Sequence, residues 1–247
     1  MKMLSATLSK PGGREVNEDA LGCLSLEAGA GCWAVADGQG KRGGGDLAAQ
    51  KVVRALLDAF AARPQAEEET LARAVRSAQQ AILNLQAEIV RNQSLRVAAA
   101  VLCASGGGVL WAHIGDVRVY AFRNGELLAQ TKDHSVPQTL VNAGEIAPAQ
   151  IRGHPDHHRL LRSIGAPGAV QPAILENRLM LRPGDLFLIC SDGFWRHVTE
   201  LEMLVDWCKS ASLERWLERM EIRLLKAAPA GSSDCYSALA LLAEADL

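Results

Sequence analysis

The sequence of 247 residues lacks several features that mark common classes of protein. No apolar run approaches the roughly 18–20 residues that a helix needs to cross a bilayer, so we expect no membrane partner. The first residues contain neither a long apolar region nor a clear cleavage site, so we expect no secretion signal. Lysine and arginine form no stripe and the net charge is −2, which argues against nucleic acid as the main partner.

The six cysteines lack the spacing of a zinc site or a disulfide framework. No Cys-x-x-Cys pair occurs, and most of the cysteines lie inside apolar runs. Buried, reduced thiols of a cytoplasmic protein account for this pattern. The chain also lacks repeats, low-complexity segments and an interdomain linker. We therefore expect residues 1–247 to form a single domain, and we expect a cytoplasmic monomer.

Hydrophobic periodicity predicts strands joined by short turns, and helices that come in pairs. Apolar residues recur three and four apart over 46–57 and about 68–92, which predicts two amphipathic helices, and Ile89 lies on the apolar face of the second one. Helices are also expected at about 199–208 and 212–227. Strands are predicted at 7–10, 20–26, 32–36, 97–103, 109–114, 118–123, 127–131, 186–191 and 235–242. Short turns between successive strands indicate mainly antiparallel sheets, so we expect a layered α+β fold.

Acidic residues recur at the ends of the predicted strands. Asp37 directly follows an apolar run and precedes Gly38. The other positions of this kind are Glu18, Asp19, Asp116, Asp192 and Asp234. Each one alone is equally typical of a solvated turn. If they converge, their mutual repulsion must be offset by cations, and clustered carboxylates suit hard ions such as Mg²⁺ or Mn²⁺.

A pair of ions held by carboxylates suits hydrolysis or phosphoryl transfer, because it activates a water molecule and clamps both reacting oxygens. Such a site also needs a cation for the phosphate. Arg14 is the candidate, since a guanidinium group binds two phosphate oxygens at once.

Three histidines lie close together at His154, His157 and His158. We interpret them as part of a polar surface segment, since Pro155 interrupts their spacing and no companion metal ligands are visible. For Lys41 and Arg42, contact with a substrate and a solvated turn remain equally open.

Five motifs occur in a fixed order along the chain. They are Arg14-x-x-Asn17-Glu18-Asp19, Ala34-Val35-Ala36-Asp37-Gly38-x-Gly40, Ile114-Gly115-Asp116-x-Arg118, Thr131-x-Asp133-His134-Ser135, and Leu181-Arg182-Pro183-Gly184-Asp185 leading to Cys190-Ser191-Asp192-Gly193. Each motif is weak alone, but the ordered set is specific. From about residue 5 to 243, the chain resembles the bacterial metal-dependent serine/threonine protein phosphatases of type 2C, the PPM family.

The resemblance implies a four-layer α-β-β-α sandwich, in which helix pairs flank two central antiparallel sheets. It implies a centre of two Mn²⁺ or Mg²⁺ ions, with a third, weaker ion in bacterial members. It also implies a mobile flap at about 136–165, and substrates that are proteins phosphorylated by a cognate serine/threonine kinase.

The resemblance also assigns roles by matched position. Asp37 would bridge two ions, Asp192 and Asp234 would complete the ligands of the first, and Glu18 with the Gly38 carbonyl would serve the second. Asp116 would join Asp192 at the third ion. Asp19 would support the ligands from behind, and Arg14 would hold the phosphate. His134 is interpreted as structural rather than catalytic.

Two departures from the family pattern keep other functions open. Gln39 stands where some members have a histidine that acts as a general acid, and an amide cannot protonate a leaving alkoxide near neutral pH. Cys235 follows Asp234 where asparagine is usual, which weakens the expected support of the metal ligands. The alternatives are a phospho-dependent binding module or pseudophosphatase with little turnover, and a hydrolase of small phosphate esters.

Overall fold

The structure is a computed structural model that describes residues 1–40, 43–88, 94–228 and 234–245. In chain order its strands are β1 (Lys2–Lys10), β2 (Asp19–Ser25), β3 (Gly31–Gln39), β4 (Arg96–Ser105), β5 (Gly108–Ile114), β6 (Arg118–Arg123), β7 (Glu126–Gln130), β8 (Ala173–Ile174), β9 (Leu179–Met180), β10 (Leu186–Cys190) and β11 (Tyr236–Glu244). Its helices are α1 (Gly45–Ala62), α2 (Glu68–Glu88), α3 (Val136–Asn142), α4 (Asp192–Trp195), α5 (Glu200–Cys208) and α6 (Leu213–Ala227), with 3₁₀ helices at Glu27–Gly29 and Pro148–Gly153.

The strands form two antiparallel sheets. One sheet has the order β1-β11-β10-β6-β7, and the other has the order β2-β3-β4-β5-β8 with β9 also paired to β5. A buried apolar layer joins the sheets face to face, and it includes Trp33, Val35 and Trp111 from one sheet and Phe187, Ile189 and Leu239 from the other. Alternation along each strand places these side chains inward.

Helix pairs cover the outer face of each sheet. The apolar residues of α1 and α2 that recur three and four apart, such as Val52, Leu56 and Ile82, are buried against the second sheet. Trp216 and Met220 of α6 are buried in the same way against the first. The predicted α-β-β-α sandwich is therefore confirmed. Among the described residues, no helix has both the length and the apolar character needed to cross a membrane.

Two local predictions differ from the structure. Strand β3 continues two residues beyond Asp37, because Gly38 and Gln39 still pair with β4 after the pairing with β2 has ended at Asp37. Residues Pro148–Gly153 form a 3₁₀ helix, and the predicted strand over 186–191 ends at Cys190, so that Asp192 begins the short helix α4. The end of the predicted helix beyond residue 88, with Ile89, lies outside the described residues, as do Lys41, Arg42 and 231–233.

The segment 136–165, predicted as a flap, is anchored at both ends by backbone hydrogen bonds. Ser135 pairs with Leu160 near its start, and Val97 of β4 pairs with Ile164 near its end. The amide side chain of Gln79 on α2 continues the second anchor, since it accepts a hydrogen bond from the Gly165 N–H (2.6 Å) and donates one to the Ala166 carbonyl (2.8 Å).

Replacing Gln79 by alanine should destabilise the protein by about 1–3 kcal/mol, because the buried Gly165 N–H loses its acceptor. Denaturant unfolding gives this free energy directly. The matched control is Gln80→Ala: Gln80 is exposed on the same helix, so its loss should change stability by no more than about 0.5 kcal/mol. Equal losses in the two variants would contradict the proposed anchor.

Candidate metal centre

A cavity of about 290 Å³ lies where the acidic ends of both sheets meet. Its lining residues are Arg14, Glu18, Asp37, Gly38, Gln39, Gly40, His157, His158, Asp192, Asp234 and Cys235. Four of the acids predicted as metal ligands therefore share one cavity wall with the arginine predicted to bind phosphate. Asp19 and Asp116 are buried and do not line it.

Asp37 and Asp19 are direct neighbours across the β2–β3 ladder. This register places two carboxylates on adjacent strands at the same height. Burial and the negative charges of Asp19 and Asp192 raise the pKa of Asp37 well above its usual range. Burial also raises the pKa of Asp19 to about 7, although the Ser191 hydroxyl donates a hydrogen bond to its Oδ2 atom (2.7 Å).

Glu18 and the Gly38 carbonyl converge above the backbone of Gly45. A methyl group built on Gly45 would lie 2.5 Å from Glu18 Oε1 and 2.6 Å from the Gly38 carbonyl oxygen. The backbone N–H of Gly38 also donates a hydrogen bond to the Glu18 carbonyl (3.0 Å), which fixes the two residues together. Only glycine fits at position 45 without separating these two oxygens.

Asp192 begins helix α4, directly after strand β10 of the first sheet, and Asp116 lies in the loop between β5 and β6. Burial and the charge of Asp234 raise the pKa of Asp192 to about 6. Burial and the charge of Asp192 raise the pKa of Asp116 well above its usual range, so these two carboxyl groups interact. The indole Nε1 of Trp195 donates a hydrogen bond to the Asp116 carbonyl (2.8 Å), which holds that loop against α4.

The donor set fits a hard divalent cation. The buried Oδ1 atoms of Asp19 and Asp116 have no hydrogen-bond partner among the described residues, and an unpaired buried carboxylate is costly. Carboxylate and carbonyl oxygens are the ligands that Mg²⁺ and Mn²⁺ prefer. Within the described part of the chain, no three such side chains already close around a single ion position.

Arg14 is the cation that contacts this acidic wall. Its Nε lies 2.6 Å from Asp234 Oδ1, and its Nη1 lies 3.6 Å from Glu18 Oε2. Half of the Arg14 side chain is exposed, so it can exchange these contacts for a ligand in the cavity. The pairing also turns Asp234 and Glu18 toward the guanidinium group rather than toward a common ion position.

Comparison with known proteins identifies the family. The model of the family described as protein phosphatase 2C matches residues 12–229. The chain belongs to the protein phosphatase 2C family. The serine/threonine phosphatase stp of Listeria monocytogenes is 32% identical over 241 residues, which cover 95% of this chain and 92% of that relative.

The serine/threonine protein phosphatase PstP of Mycobacterium tuberculosis is 32% identical over 195 residues, which are 77% of this chain. The match spans only 36% of the length of that relative. The crystal structure of M. tuberculosis PstP/Ppp has a TM-score of 0.86 and 28% identity, and the match covers 99% of this chain and 100% of that one. The PstP catalytic domain solved in complex with two manganese ions has a TM-score of 0.82 and 28% identity, with coverage of 98% and 99%.

Cys235, which departs from the usual protein phosphatase 2C pattern, still supports the acidic wall. Its thiol accepts a hydrogen bond from the Glu18 N–H (3.4 Å) and donates one to the Val16 carbonyl (3.5 Å). The Cys235 carbonyl also packs directly against the Cα of Gly193, next to Asp192. The thiol thus ties the segment that carries Glu18 to the strand that follows Asp234.

The structure also shows functional neighbours that the sequence analysis missed. His157 and His158, interpreted from the sequence as part of a polar surface segment, lie at the surface of the cavity itself. Arg118 and Asp133, from two of the quoted motifs, form a buried ion pair (2.7 Å). The close spacing of the histidines was the signal available in the sequence, but it does not predict that two of them line the same cavity as the acids.

His134 has a structural position, as predicted. Its ring stacks on that of His113 with centroids 4.7 Å apart, and its Nδ1 accepts a hydrogen bond from the Gly115 N–H (3.1 Å). Burial and the neighbouring His113 lower the pKa of His134 to about 4, which keeps it neutral at physiological pH.

The fall in stability with rising pH should be reduced or removed when Mn²⁺ is added. In EDTA, Asp19 and Asp192 have folded-state pKa values of about 7 and 6, above the unfolded value of 3.8, so the folded state binds more protons and loses stability as pH rises. We expect these two groups to lower the metal-free Tm from about pH 4 to about pH 7, with little further change above that, so the Tm is compared at about pH 5 and about pH 7.5. Mn²⁺ should raise the Tm more at the higher pH, because fewer protons must be displaced.

The control for this measurement is Asp37→Asn, which removes one of the repelling carboxyl groups. The metal-free variant should be at least as stable as the wild type and should depend less on pH. Its Tm should respond little to Mn²⁺. A Mn²⁺ shift of equal size at both pH values, or one retained in the variant, would argue against these acids as the ligands.

Proposed function

We propose that the chain is a metal-dependent phosphoprotein phosphatase that hydrolyses phosphoserine and phosphothreonine. The observation that carries this proposal is the cavity in which four acids and Arg14 meet in a member of the protein phosphatase 2C family. A relative with the same fold was solved with two manganese ions, which supports Mn²⁺ or Mg²⁺ as the cofactor.

We assign the acids as follows. Asp37 would serve both ions, Asp192 and Asp234 would hold the first, and the Glu18 carboxylate with the Gly38 carbonyl would hold the second. The convergence of Glu18 and Gly38 oxygens above Gly45 supports the second assignment. The interaction between Asp116 and Asp192 supports a third, weaker ion, and Asp19 braces Asp37 from the neighbouring strand.

When bound, the ions supply Lewis acidity that makes a water molecule nucleophilic at neutral pH and offsets the charge of the phosphate. Arg14 binds the phosphate oxygens, since its guanidinium group donates two parallel hydrogen bonds and is half exposed at the cavity mouth. Binding of the phosphate by Arg14 frees Asp234 and Glu18 from their present ion pairs.

The proposal also covers the domain organisation, the oligomeric state, the substrates and the location of the protein. Residues 1–247 form one catalytic domain, supported by the single apolar layer that both sheets share. The chain acts as a monomer on proteins phosphorylated by a cognate serine/threonine kinase. A cytoplasmic location is supported by the six free cysteines, two of which are exposed, because such thiols persist in a reducing compartment.

Asp37→Asn should lower phosphatase activity by at least about a thousandfold, because it removes the carboxylate shared by two ions. The assay is hydrolysis of p-nitrophenyl phosphate and of a phosphothreonine peptide, with EDTA, Mg²⁺ and Mn²⁺ in turn. Asp58→Asn is the matched control, since Asp58 is exposed on α1 and paired only with Arg54 in the described contacts.

A folded wild type that binds phosphopeptides but turns over neither substrate under any metal would replace this proposal with the binding module. Preference for metabolite phosphates over peptides in kcat/KM would instead indicate a hydrolase of small esters. Activity that survives EDTA would contradict the metal requirement.

A further inference from the structure

The position of Gln39 raises the question of which residue donates a proton to the leaving group. Serine and threonine leave as alkoxides, which are strong bases and depart readily only when they receive a proton. Gln39 lines the cavity where other members carry a histidine, and its amide cannot supply that proton. If the enzyme has a proton donor for its leaving group, it comes from another residue.

Most of the other cavity residues are unsuited to this role. The acids Glu18, Asp37, Asp192 and Asp234 are committed to the ions, and a guanidinium such as that of Arg14 does not release its proton. Burial raises the pKa of the Cys235 thiol to about 11, and the thiol already donates to the Val16 carbonyl. Among the described side chains that line the cavity, His157 and His158 remain.

Of the two histidines, His157 is the one whose Nδ1 is held by a hydrogen bond. Its Nδ1–H donates a hydrogen bond to the His154 carbonyl (2.9 Å), so its Nε2 is the nitrogen free to exchange a proton. It is half-buried, whereas His158 is exposed, and the two rings meet edge to face with centroids 5.4 Å apart. The segment that carries His157 is fixed at both ends by the Ser135–Leu160 and Val97–Ile164 pairings.

Burial and nearby charges together lower the pKa of His157. Burial lowers its pKa, the His154 carbonyl raises it, Arg196 and His158 lower it, and Asp234 raises it. A lowered pKa makes the imidazolium a stronger acid. A phosphate monoester bound beside Arg14 adds negative charge to the cavity, which favours the imidazolium form while substrate is present.

We propose that His157 is the general acid that protonates the leaving serine or threonine oxygen, in place of the histidine that is missing at position 39. This inference rests on the proposed phosphatase function. It assigns a catalytic role to a segment that the sequence analysis interpreted as polar surface.

The step balances as hydrolysis of one monoester by one water. The water oxygen forms the new bond to phosphorus, and the bond from phosphorus to the serine or threonine oxygen breaks with its electron pair on that oxygen. The proton on His157 Nε2 moves to the leaving oxygen, which departs as a neutral alcohol. The attacking water gives one proton to solvent, and neutral His157 takes one proton from solvent.

The test compares two substrates whose leaving groups differ in basicity. For His157→Gln we expect kcat on a phosphothreonine peptide to fall by about a hundredfold or more. Turnover of p-nitrophenyl phosphate should change by less than about threefold, because p-nitrophenolate is a weak base that leaves without a proton. Unchanged Tm and circular dichroism would show that the variant is folded.

Two further variants sharpen the comparison. His158→Gln should change the ratio of the two activities by less than about threefold, because this exposed cavity residue is not assigned the proton transfer. Adding Gln39→His to the His157→Gln variant should restore at least part of the peptide activity, because it returns a histidine to the cavity. A series of substituted phenyl phosphates should show a steeper dependence on leaving-group basicity in His157→Gln than in the wild type.

The outcomes separate this inference from the proposed function. A wild type active on both substrates, with His157→Gln losing both equally or neither, overturns the role of His157 alone. A folded wild type that hydrolyses neither substrate with Mn²⁺ or Mg²⁺ overturns the phosphatase itself, and the general acid with it. A larger change in the activity ratio for His158→Gln than for His157→Gln also overturns the assignment.

Discussion

Repulsion among buried carboxylates is the constraint on which the rest of this site depends. Elements of both sheets bring acids to one region, and burial and their mutual repulsion raise the pKa values of Asp37, Asp116 and Asp192. A buried carboxyl group without a cation retains its proton, so this region of the fold has a built-in preference for positive charge. Arg14 supplies part of that charge through Asp234, and the oxygen donors suit divalent ions for the remainder.

Rigid strands allow the acids to stay close in spite of this repulsion. Asp37 belongs to β3, which is paired on both sides, so its position is fixed by ladders rather than by a loop. Sites built on such elements hold their geometry more precisely than sites on loops. Glu18 precedes β2, and its backbone is secured by Gly38 and by the Cys235 thiol. The unusual cysteine therefore preserves a tie to the metal ligands instead of removing it.

The sequence predicted most of the long elements and the four acids that line the cavity, because both are local signals. Apolar spacing of three and four residues predicted α1 and α2, and an acid after an apolar run marked Asp37 and Asp192 before any pairing was known. The extension of β3 could not be predicted, since it depends on pairing with the distant strand β4. The hydrogen bond from the Glu18 N–H to the Cys235 thiol joins residues 217 positions apart, and no local sequence pattern predicts such a contact.

The histidine cluster shows that the role of a motif depends on which residues of other elements lie beside it in the folded protein. Its spacing was tested for a metal site within the segment itself, whereas the acids and Arg14 that line the same cavity lie on other elements of the fold. Chemical roles are defined by position in space rather than by order in the chain. A neutral imidazole is itself a good metal ligand, so a proton donor beside Asp37 and Asp192 risks capture by an ion. Placing the histidine on a separate, doubly anchored segment, with Nδ1 committed to the His154 carbonyl, leaves its other nitrogen for proton transfer.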